Sequence, residues 1–125
     1  MSDQRSAFTH RSYPLTPHPS PSHAQALAIA QKAILQGFDQ SLPVVQRWFL
    51  YMPLEHSENL EHQRQAVELF YSLRNSPDAA GTYDYAVKHL AVIERFGRFP
   101  HRNSILGRAS TPAEAEFLKQ RGSSF

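Results

Sequence analysis

From His23 onward, apolar residues recur in steps of three and four, and no stretch alternates long enough to build a convincing strand. That regularity confines the chain to helices packed on helices. Leu27, Ala30, Ile34 and Phe38 make the first such face, with Gly37 as its stop. Ser41-Leu42-Pro43 is a fresh start, and Val44 to Met52 is apolar apart from Gln46 and Arg47, until Pro53 ends it. A third helix opens near Ser57 or Asn59, both good caps, and presents Leu60, Val67, Phe70 and Leu73. Asn75-Ser76-Pro77-Asp78 is turn chemistry, and Thr82 then caps a fourth helix. Its face is Tyr83, Ala86, Val87, Leu90 and Ile93, with Phe96 alongside and Gly97 as terminator. Residues 98–110 are irregular and basic. Thr111-Pro112-Ala113-Glu114 then has capping-box spacing with proline at the first helical position, and the helix it starts buries Phe117 and Leu118. The fold class is all-α: about five helices in antiparallel hairpins. At 125 residues there is room for one domain, taken here as 23–125.

Residues 1–22 obey a different rule. Prolines at 14, 17, 19 and 21, interleaved with Ser, Thr and His, remove backbone donors and push their neighbours extended. This is a Pro-rich, flexible N-terminal tail, expected to be dispensable for folding. The absence of cysteine excludes a disulfide scaffold, a Cys-based zinc site and a cysteine nucleophile. The longest unbroken apolar run, Trp48 to Met52, is too short to span a bilayer, and no apolar segment follows the opening residues as a signal peptide would require. A soluble, cytoplasmic protein with no membrane partner is expected.

The net charge is +2, but its distribution says more. Residues 39–84 carry seven acids and three bases, whereas residues 85–125 carry seven bases and three acids. Opposite blocks within one small domain are expected to face each other, which argues against a nucleic-acid partner for the basic half.

Two stretches stand out. One is Phe49-Leu50-Tyr51-Met52-Pro53-Leu54-Glu55-His56-Ser57-Glu58. The other is Arg95-Phe96-Gly97-Arg98-Phe99-Pro100-His101-Arg102-Asn103, followed by Leu106-Gly107-Arg108 and Ser110-Thr111-Pro112. Together they closely resemble the bacterial family catalogued as domain of unknown function 924, over roughly residues 24–125. The resemblance implies a tetratricopeptide-like, right-handed α-α superhelix and a cytoplasmic protein, and it implies no reaction. The Phe-Trp-Phe-Gly and Asp-Gln-Phe-Pro-Arg signatures of the family's front part do not occur here, so the likeness is to the C-terminal portion.

Both stretches are dense in ionisable groups. Glu55, His56, Glu58 and His62 are the first cluster; Glu58 and His62, four apart on a helix, share a face. Two residues at that spacing do not make a metal site, and none is assigned. A Ser57–His101 nucleophile pair can be drawn, but capping explains Ser57 better. Arg95, Arg98, His101, Arg102, Asn103 and Arg108 are the second cluster. Guanidinium forks suit carboxylate or phosphate, so they either clamp Glu55 and Glu58 or converge near the Thr111 helix start as an anion site. His10, His18, His23 and His89 are given no role. Trp48, Tyr51, Phe96 and Phe99 are core aromatics, with Trp48 and Phe99 able to wall a pocket. Two functions follow: a helical module that binds a protein or peptide, and a binder or enzyme for a small anion using the two motifs. No cofactor is called for.

Overall fold

The computed structural model describes residues 21–125. Nearly all of the tail therefore lies outside the described residues, and its last two residues, Pro21 and Ser22, already belong to a helix. Five helices follow one another: α1 (Pro21–Leu35), α2 (Val44–Glu55), α3 (Leu60–Tyr71), α4 (Thr82–Phe96) and α5 (Pro112–Leu118). Short 3₁₀ turns at Phe38–Ser41, Pro77–Ala79 and Pro100–Arg102 join them, and there is no strand among the described residues. None of the helices described is long and apolar enough to cross a membrane.

Helices α2 and α3, and then α3 and α4, pack as successive hairpins, with α1 laid against α2. The main core sits between them. Tyr51 and Leu54 from α2, Ala66 and Phe70 from α3, then Leu73, Ala79 and Ala86 are fully or almost fully buried, and Leu27, Ile34 and Trp48 close over them. The Tyr51 and Phe70 rings meet edge to face at 5.8 Å, a geometry that matches ring edge to ring face. The Tyr51 hydroxyl donates to Asp39 Oδ2 at 2.5 Å, pinning the turn after α1 to the middle of α2. A smaller core of Val92, Ile93 and Phe99 lies under Leu60, Phe96, Phe117 and Phe125.

The helix ends follow local rules. Asn59 caps α3 by accepting from His62 N, and Thr111 and Glu114 form both halves of the capping box of α5. Gly97 ends α4 in the left-handed conformation, φ 75°, where its amide reaches Ile93 O and a side chain would be strained.

Four expectations need correction. Helix α2 does not stop at Pro53 but continues to Glu55. A proline in the last turn forfeits a single hydrogen bond, and burying Leu54 outweighs it. Thr82 is not the cap of α4; Gly81 holds that place at φ 82°, and Thr82 Oγ1 donates back to Ala79 O. Val87 is 39 % exposed, and the buried stripe of α4 is Thr82, Ala86, His89 and Ile93 with Val92, so a histidine stands where an aliphatic was expected. Phe38 is exposed rather than the end of the α1 face.

Candidate functional site

The loop after α4 is held by carboxylates. Glu58, just before α3, accepts from the amide of Phe99 at 2.7 Å and from both arms of Arg108 at 2.8 and 3.0 Å. Arg108 also donates to Phe99 O and to Asn103 Oδ1. The buried Asn103 amide turns its other end to Ser110 Oγ and Glu114 Oε1. Arg98 forks onto Glu114 at 2.8 and 2.7 Å and reaches Ala109 O. The acidic and basic blocks therefore meet at Glu58, through Arg108. Arg98 takes the carboxylate of α5 instead.

The ionisation of these acids follows. The Arg98 fork is the chief cause that brings the Glu114 carboxyl down to about 2, aided by the Thr111 amide. Burial alone would raise Glu58, yet the Arg108 fork and the Phe99 amide win and its pKa is lowered. Since Thr111 N already donates to Glu114 Oε1, the start of α5 is filled by its own side chain.

Arg102 is different. Its guanidinium lies 4.6 Å from the centre of the Phe99 ring and is half-buried, with no hydrogen bond and no carboxylate at ion-pair distance among the described residues. Burial lowers its pKa, and Glu58 opposes that only through space. Histidines surround it: the Arg102 charge acts on His23, His56, His89 and His101. His56 and His101 are lowered first by burial and then by Arg102. His101 Nδ1 is buried with no hydrogen-bond partner among the described residues. His89, given no role on sequence grounds, is a buried member of this cluster. It donates from Nδ1 to Tyr85 O at 2.8 Å, stacks 3.9 Å from Phe125, and burial brings it down to about 4, so it is neutral at pH 7.

Glu55 is buried at the end of α2. The nearest charged-type group is His56 Nε2 at 3.9 Å, and no donor hydrogen-bonds its carboxylate among the described residues. Burial pushes its pKa up to about 7. It lines a cleft of about 240 Å³ with Trp48, Ala80, Gly81, Thr82 and Tyr85.

Other candidates are scattered. Ser57 Oγ pairs with His62 Nδ1 at 2.8 Å, not with His101, and His62 Nε2 faces Gln31 Nε2. Glu58 and His62 are thus committed to separate partners, and among the described residues no three metal-type side chains converge. Arg95 is exposed and lies over the Phe96 and Phe117 rings. Sequence reasoning passed over the central place of Arg102, and over His89, whose signal was its helical spacing from Ala86 and Ile93.

These features define a class: an all-helical protein whose arginine-clamped loop closes over a basic, histidine-lined cluster. The chain matches, over residues 1–122, the family described as bacterial protein of unknown function (DUF924), and it belongs to that family. The match begins at residue 1, so the likeness is not confined to a C-terminal portion starting near residue 24. A solved structure, of a protein of unknown function from Agrobacterium tumefaciens, is 38 % identical with a TM-score of 0.70. The alignment covers 79 % of this chain and 53 % of that one, so the chain spans about half the length of this relative. No functionally curated protein matches the sequence.

Proposed function

We propose that the protein binds a small anion, a phosphate or a carboxylate, at Arg102 with His56 and His101 beside it. One observation carries this reading. Arg98 and Arg108 each grip a carboxylate with both arms, whereas Arg102 is half-buried with no carboxylate at ion-pair distance among the described residues. An unpaired cation in such surroundings is costly, and a bound anion would offset that cost. His101 Nδ1, buried and without a partner among the described residues, supplies a donor once the ring is protonated. The cysteine-free chain is compatible with a cytoplasmic setting, which forms part of this proposal.

The experiment is a thermal-stability titration with inorganic phosphate against chloride at matched ionic strength, on wild type and Arg102→Ala. Phosphate should stabilise the wild type by mass action and stabilise the variant less. The pH dependence has a definite sign. His56 and His101 have lowered pKa values, so an anion binds best where they are protonated, and the effect should grow from pH 8 to pH 5.5. Equal stabilisation of both proteins would sink the reading.

A second reading, a helical module for a protein or peptide, draws on the outer surface of α1 and α2. Ile29, Leu35, Val45 and Phe49 are large, apolar and exposed there. The tetratricopeptide-like superhelix that the resemblance implies would suit that role, by fold analogy alone.

A further inference from the structure

Glu55 stands apart from the other buried acids. Glu58 and Glu114 have every reason to be ionised, each held by an arginine fork and a backbone amide. The Glu55 side chain is only 6 % exposed, and no donor reaches it among the described residues. Its one neighbour of basic type among the described residues, His56, stands 3.9 Å away with a lowered pKa, hence neutral above pH 7. A buried carboxyl without donors is expensive to keep unless it has a use.

The surroundings say what that use is. The cleft of about 240 Å³ is lined by Trp48 and Tyr85 together with Ala80, Gly81 and Thr82. Thr82 Oγ1 is already committed to Ala79 O, so it offers the cleft no free proton. An anion would be repelled by Glu55, and a neutral apolar guest would leave the carboxyl without a partner. A cation suits both kinds of lining residue, because aromatic faces attract positive charge and a carboxylate accepts from N–H groups.

We propose that this cleft binds a small organic ammonium ion, its charge against Glu55 and its carbon part between Trp48 and Tyr85. The cleft has room for a simple alkylamine or a methylated ammonium head. His56 stands beside Glu55 as well as in the anion cluster, whereas Arg102 and His101 do not line this cleft.

Binding is linked to protons. Burial alone sets the raised ionisation of Glu55, with no contribution from neighbouring charges, so the carboxyl is partly protonated at neutral pH and must lose that proton to receive a cation. The titratable groups around it among the described residues are His56, just after α2, and Tyr85 and His89 on α4. Protonating His56 at low pH opposes a cation in the same direction, and His89 stays neutral until about pH 4. Apparent affinity should therefore fall about 100-fold from pH 8 to pH 5.

Trp48 is the only tryptophan in the chain, so its fluorescence reports on the cleft directly. The probes are methylammonium and tetramethylammonium chloride, titrated into the full chain against sodium chloride at equal ionic strength. A saturable change in Trp48 emission is expected, weakened at least about tenfold in Glu55→Gln. Calorimetry of the wild type in two buffers of different ionisation heat should show proton release near pH 7, a readout that needs no variant. Phosphate titration reports on the anion cluster separately: Arg102→Ala should lose the phosphate response and keep the ammonium response. No saturable response above sodium, equal affinity in Glu55→Gln, or binding without proton release would each overturn the proposal.

Discussion

The α2–α4 bundle and the stretch from Arg98 to Thr111 are held by different physics. In the bundle, Tyr51, Leu54, Phe70 and Leu73 interlock, and the stabilisation comes from apolar area removed from water, which is non-directional. In the loop only Phe99 and Pro100 bring buried apolar residues; the rest is Glu58, Glu114, Arg98, Arg108 and Asn103 in one hydrogen-bonded set. Such a set depends on direction and charge. A bundle can lose a methylene and relax, whereas a network that loses one member strands the others. The loop therefore gives a single shape to the segment bearing His101 and Arg102, but it is the part of the fold that pH and salt can reach.

The sharpest way to break this comparison is to damage each region once. Phe70→Ala should cost about 3–5 kcal/mol in denaturant unfolding, because a fully buried aromatic leaves a cavity. The loss should be global, with amide exchange rising in bundle and loop alike. Glu58→Ala should come next, at about 2–4 kcal/mol, since it leaves the Arg108 guanidinium and the Phe99 amide without their acceptor. Here exchange should rise first at residues 98–110 while α2 and α3 stay protected. A cost below about 0.5 kcal/mol would mean that apolar contacts hold the loop after all, as for an ordinary surface substitution.

Acid should separate the regions with a smaller effect. The Glu114 pKa is depressed to about 2, so its contribution is present above the ordinary carboxylate range and is lost as pH falls from about 4.5 towards 2. His89 is depressed to about 4, so its neutral burial stabilises above pH 6.5 and weakens progressively on the way down to 4. Glu55 runs the other way. Its raised pKa means stability declines as pH climbs from about 4.5 to 7, a decline that Glu55→Gln should abolish. Melting curves from pH 3 to 8 on wild type and Glu55→Gln give both slopes, and identical profiles for the two proteins would remove Glu55 from the account.

Much of the bundle was legible because its causes are local. Three-four spacing set the helices, Asn59 and Thr111 set two starts, and Gly97 set an end, each within a turn or so of chain. The resemblance carried by the two motifs was legible too, since a motif is itself a local pattern. Where locality failed, so did the reading. Pro53 is a helix breaker in isolation, yet the burial of Leu54 carries α2 past it. His89 is polar by type, yet α4 turns it inward against Phe99 and Phe125.

The arginines show the same division at its clearest. Sequence alone determined that several guanidinium forks and a few carboxylates lie in two short motifs, and that such groups will pair. Tertiary structure alone decided that Glu58 meets Arg108 across fifty positions, that Arg98 turns to Glu114, and that Arg102 is left among histidines. The physical reason is that a guanidinium fork fits any carboxylate equally well. Residue type therefore fixes the kind of partner, and only the packing of distant helices fixes which partner comes within reach.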